Sequence, residues 1–156
     1  MFKNPIVKKI AFALVVTVVG YFLLIGTFLL DFAFQSIVSF VLRLFIPADR
    51  LYTPWFPPTM HVTYALLIGI ISWFILTSKA NLLVKATWLM VPLAVLLATV
   101  GMFLNQWPGL VYFMGSLITF GTIYFIYRRK LSWLYYYAVL LVAGGLLVLM
   151  LTGTDI

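Results

Sequence analysis

The chain has 156 residues, 65% of them hydrophobic, with a mean hydropathy of +1.19. Only 8% are charged, ten Lys and Arg against three Asp and Glu, and the bases fall in short clusters at the ends of apolar runs. Orientation signals sit there, so the net charge of +7 does not point to nucleic acid. The lack of cysteine excludes a disulfide, a thiol nucleophile and a cysteine metal site.

Five apolar runs of 17 to 21 residues contain no Asp, Glu, Lys or Arg. A helix needs about 20 such residues to cross the hydrocarbon core of a bilayer. The expected fold is therefore an all-α integral membrane protein with five transmembrane helices at about 10–30, 62–78, 86–104, 109–127 and 133–151. Too little chain is left over for a separate soluble unit, so residues 1–156 read as a single membrane domain. The first run is longer than the roughly 7–15 apolar residues of a signal peptide, and no small-residue cleavage site precedes Asp31, so it reads as a permanent helix.

The one long connection, 31–60, follows. Its first part, about 32–46, is apolar and should be helical up to Pro47, which forbids continuation. Asp31, Gln35, Ser36, Ser39 and Arg43 share a stripe about 140° wide on that helix, the polar face of an amphipathic element. Fifteen residues are short for a span, and a sixth span would put the later basic clusters on opposite sides, so the helix is expected to be interfacial or re-entrant.

The stretch from Pro47 to His61 has four prolines and the aromatic residues Tyr52, Trp55 and Phe56, which makes a stiff extracytoplasmic loop. Thr59 is the expected N-cap of the second span. His61, the single histidine, is expected to make interfacial hydrogen bonds at the outer mouth of that span. Too few ligands accompany it for a metal, and no cofactor motif is present. Asp31, Gln35, Ser39, Arg43, Arg50, Tyr52, Trp55, Phe56 and His61 form the candidate outer binding surface.

Beyond the loop, Pro92 should kink the third span and free the backbone carbonyl of Trp88. Small residues at helix-contact spacing, Ala65 with Gly69, Ala94 with Ala98, Gly115 with Thr119, and the pair Gly144 and Gly145, suit close helix packing. A faint repeat matches Lys85 to Leu89 with Lys130 to Leu134. Trp88, Trp133 and Tyr135 to Tyr137 are expected at one membrane boundary, Trp55 and Trp107 at the other.

Lys3, Lys8, Lys9, Lys79, Lys85, Arg128, Arg129 and Lys130 all fall on one side; Arg43 and Arg50 share the other with Asp31, Asp49 and Asp155. The Lys/Arg rule then makes the N-terminus cytoplasmic and the C-terminus extracytoplasmic, in a plasma or inner membrane. With the spans bounded as above, none contains an ionisable group, which argues against a proton-coupled pump. The first functional expectation is a non-enzymatic accessory or scaffold subunit that docks through the outer loop. The second is a small transporter or lipid-handling permease acting as an oligomer. The third is an enzyme on lipid headgroups, with Arg43 and Arg50 binding phosphate. Expected partners are the lipid bilayer, including anionic phospholipid, and a membrane-protein partner or further copies of the chain.

Overall fold

A computed structural model describes residues 5–47, 53–54 and 56–151. Those residues fold as five helices without strands: α1 (Pro5–Arg43), α2 (Phe56–Thr77), α3 (Leu82–Leu104), α4 (Pro108–Arg128) and α5 (Trp133–Leu151). The first four are long and apolar enough to cross a membrane, and α5 is a shorter apolar helix. The chain is thus an all-helical membrane protein with five apolar helices, as the apolar runs require.

The segment expected to form a separate interfacial helix is instead the continuation of α1. No break occurs at Asp31, and the helix runs unbroken for 39 residues, about 58 Å. Nothing in the sequence between Leu30 and Phe32 stops a helix: there is no proline or glycine, and Asp31 is buried rather than turned out to lipid. The helix gives way to turns at Leu44 and Phe45, ahead of Pro47.

The N-cap reading of Thr59 is also corrected. Helix α2 begins at Phe56, whose N–H donates to the Thr53 carbonyl at 3.0 Å. Pro57 and Pro58 fit in its first turn because their missing N–H groups have no intrahelical partner there. At the next turn of chain Asn81 does cap, its side chain accepting from Leu83 N–H at 3.4 Å. The tight α4–α5 connection needs a left-handed residue, and Lys130 takes it at φ 50° while Leu131 N–H reaches the Ile126 carbonyl at 3.1 Å.

Helix α3 is the central element and packs against all four others. It passes Pro92 without losing its helical continuity. Contacts fix the direction of the chain. Asp31 meets His61 and Thr27 meets Tyr64, so α1 and α2 are antiparallel. Ser72 meets Trp88 and Thr17 meets Tyr137, which brings the starts of α1, α3 and α5 to one end. That end holds Lys8, Lys9, Lys79, Lys85, Arg128, Arg129 and Lys130 and is called the basic end below.

The larger core lies toward it: Val16 of α1, Ala86, Met90 and Ala94 of α3, Ile126 of α4, and Leu134, Ala138, Val139 and Val142 of α5. The closest approach is at Gly20, where a Cβ would fall 2.3 Å from Met90 Sδ. Outward faces are the apolar ones, with Phe22, Trp73, Phe74 and Phe120 all about 70% exposed. Polar groups turn inward, which is the sorting expected where lipid is as apolar as any core and only internal partners can satisfy a hydrogen bond. Trp88 follows this rule: its indole donates inward to Ser72 Oγ at 3.0 Å.

Candidate functional site

The buried stripe of α2 is His61, Tyr64, Ile68 and Ser72, one residue per turn, and three of the four are polar. Each finds a partner on a neighbouring helix. Ser72 accepts from Trp88, Tyr64 Oη donates to the Thr27 carbonyl at 2.7 Å, and His61 Nδ1 lies 2.6 Å from Asp31 Oδ2. Among the described residues no buried side-chain N or O lacks a hydrogen-bond partner.

The His61–Asp31 contact is the chemical centre of the bundle. His61 is 2% exposed and Asp31 7%. Gln35, one turn beyond Asp31 on α1, donates from Nε2 to Asp31 Oδ1 at 3.1 Å. The far side of the imidazole, Nε2, lies 3.1 Å from Thr99 Oγ1 on α3. Thr99 Oγ1 donates in turn to the Val95 carbonyl at 2.7 Å, the usual back-bond of a helical threonine. Three helices therefore converge on one ionisable pair. His61 lies five residues from the start of α2 and Thr99 five from the end of α3, so the pair sits about 7 Å inside the helix ends.

Helices α1 and α2 extend past the spans expected from sequence, so Asp31 and His61 both lie within helices rather than in a connecting loop. The first span was bounded at Leu30 because a carboxylate in hydrocarbon is expensive. The bundle buries Asp31 against the imidazole of His61 through a short hydrogen bond.

Beside the pair opens a cleft of about 810 Å³, running along the end of the bundle opposite the basic residues. Phe28, Asp31 and His61 form one wall; Leu97, Ala98, Gly101 and Met102 of α3, Val111, Gly115, Ser116 and Thr119 of α4, and Ala143, Gly144 and Leu147 of α5 form the others. The lining is mainly apolar, with Asn105, Tyr112, Ser116 and Thr119 as neutral polar groups, and the volume is in the range of sites for small organic ligands. Small residues make the space: Ala98, Gly101, Gly115 and Gly144 all line it.

Of the residues singled out from sequence, Asp31, Gln35 and His61 come together here. Ser39 continues the same face of α1, half-buried, and Arg43 is exposed at the last turn of that helix. Phe56 is half-buried at the start of α2. Arg50, Tyr52 and Trp55, together with Asp49 and Asp155, lie outside the described residues. Among the packing positions, Ala94 is buried in the core and Ala65 packs against the smaller cluster around Tyr64. Gly115 would place a Cβ 3.8 Å from Leu97, whereas at Gly69, Gly144 and Gly145 no described residue beyond their own helix comes within 4 Å of that position. The two copies of the faint repeat differ in setting, since Trp88 lies inside α3 and Trp133 is the first residue of α5.

Thr99 and the cleft were missed from sequence. A threonine in an apolar helix carries no mark of its partner, and a cleft is a property of helix separation rather than of any residue run. Comparison with protein-family models, with curated proteins and with solved structures gives no match.

Proposed function

We propose that this protein is a small membrane permease that binds amphipathic organic molecules in the cleft between α3, α4 and α5. The observation that supports the reading is the meeting of a largely apolar cleft of about 810 Å³ with a buried ionisable pair in its wall. Intramembrane ionisable groups beside a cavity characteristically mark a substrate or ion path. The cleft gives an apolar body somewhere to lie, and Asp31 with His61 gives a polar group somewhere to bind. The scaffold-subunit reading drew on the lack of polar chemistry inside the spans, and the buried Asp31–His61 pair weighs toward the permease instead. On the Lys/Arg rule the basic end faces the cytoplasm and the cleft opens toward the other side.

The test is occupancy. The protein is reconstituted in vesicles and illuminated with a single-chain alkanol carrying a diazirine. Label concentrated on Gly101, Gly115 and Ser116, and lost in Gly115→Phe, supports the reading. Label spread evenly over outward residues such as Phe22 and Trp73, and unchanged in Gly115→Phe, overturns it.

A second reading, membership of a larger membrane complex, draws on Gly69, Gly144 and Gly145, whose open surroundings leave room for a helix from another chain. Native mass spectrometry from mild detergent separates the two: a stoichiometric partner favours the complex, and a protein carrying only a small molecule favours the permease.

A further inference from the structure

The hydrogen bonds around His61 define how many protons the pair holds. A hydroxyl has one proton to give. With Thr99 donating to the Val95 carbonyl, it faces His61 as an acceptor and Nε2 stands as an N–H. On the other side Asp31 accepts from Gln35 at Oδ1 and lies 2.6 Å from Nδ1 at Oδ2. A contact that short between an acid and a base needs a proton between the two atoms. With that proton on Nδ1 the ring is an imidazolium, and whichever atom holds it the pair is electrically neutral and loaded with one exchangeable proton. Unloading it requires only that the Thr99 hydroxyl turn from Val95 to His61 Nε2, after which the pair carries one negative charge.

Among the described residues no other charge competes at this place. On α1, Asp31 has Gln35 beside it, and Arg43 lies three turns farther along, about 18 Å away. Helix α2 contributes His61 and Tyr64, whose hydroxyl is engaged with Thr27. From α3 come Thr99 and the capping Asn105, and from α4 Tyr112; the α5 lining holds no titratable group. Among the described residues neither lysine nor arginine lines the cleft, while Phe28 and Tyr112 do. A carboxylate in the wall of an apolar cleft that also holds aromatic side chains suits a bulky organic cation, through charge and through attraction to ring faces.

Resting on the permease reading, we infer that the ligand is a lipophilic organic cation and that it exchanges for the proton held by Asp31 and His61. One cation enters and pairs with the Asp31 carboxylate; His61 releases one proton to solution; Thr99 then donates to the neutral ring. Charge in the cleft is unchanged by the exchange, which is what makes it feasible in a medium that tolerates net charge poorly.

The test uses tetraphenylphosphonium and the full-length protein in mild detergent. Binding releases one proton per cation into weakly buffered solution, and affinity rises about tenfold per pH unit while the pair stays loaded. The cation also displaces the diazirine alkanol from the cleft. His61→Gln keeps cation binding but loses both proton release and pH dependence, and Asp31→Asn loses binding while still unfolding cooperatively. Cation binding without proton release and indifferent to pH overturns the exchange, whatever the variants do. A cation that fails to displace a cleft-bound alkanol overturns this inference and leaves the permease reading standing; an alkanol that never occupies the cleft overturns both.

Discussion

The two halves of the bundle are built on different terms. At the basic end the helices press together around Val16, Met90, Ile126, Leu134 and Val139, close enough at Gly20 that an added methyl group would have to displace the end of Met90. Toward the other end α3, α4 and α5 leave a cleft between them, and beside the small apolar cluster around Tyr64 the contacts across α1, α2 and α3 include the polar groups of Asp31, His61, Thr99 and Tyr64. The basic half holds the helices in place by dispersion and shape. The other half uses that fixed frame to keep an ionisable pair and an open volume side by side, which close packing alone would fill.

If this division is right, substitutions in the two halves fail in different ways. The largest effect is expected from breaking the pair. Asp31→Leu leaves a buried imidazolium unmatched and should cost about 3–5 kcal/mol in thermal or denaturant unfolding in detergent. Asp31→Leu with His61→Leu should cost clearly less than the single change, because both charges go together. A double variant as damaged as the single one would mean that the pair is a structural clamp.

Next comes Met90→Ala, which empties a wholly buried position in the basic half and should cost about 2–4 kcal/mol. Gly20→Val forces side-chain bulk against the same methionine, and a loss of about 1–3 kcal/mol is expected, moderated by the flexibility of Met90. Neither should change the number of protons released on cation binding. The smallest effect belongs to Thr17→Val, which removes a 2.7 Å bond to Tyr137 Oη; interhelical bonds of this kind contribute about 0.6 kcal/mol in membranes. A stability loss of several kcal/mol there would show that the basic half also depends on polar contacts.

The basic half was the more legible in sequence. Apolar length fixes the number of helices, and lysine and arginine clusters mark one end, because both signals are local and follow from the thickness of hydrocarbon. Gly20 escaped notice since Val16 and Leu24, its neighbours one turn away, are large and form no small-residue pair. In the other half, Asp31, Gln35 and His61 stood out as polar residues in apolar surroundings, but their spans were bounded short of them. A charge reads as the end of a span only while its partner is unknown, and Asp31 finds His61 thirty residues away. The partner of His61 on its other side, Thr99, looks in sequence like any other threonine that back-bonds to its own helix. The partners of Trp88 and Tyr137, Ser72 and Thr17, escaped notice for the same reason, since an indole or phenol that bonds to another helix looks in sequence like any other.

The presence of a single histidine makes the central claim directly measurable. With ring-¹⁵N histidine incorporated, every imidazole signal in the spectrum belongs to His61. Both nitrogens should carry protons before the cation is added, with the signature of an imidazolium held against a carboxylate, and titration with tetraphenylphosphonium should strip one proton. A bare ring nitrogen from the start, or a spectrum indifferent to the cation, would contradict it.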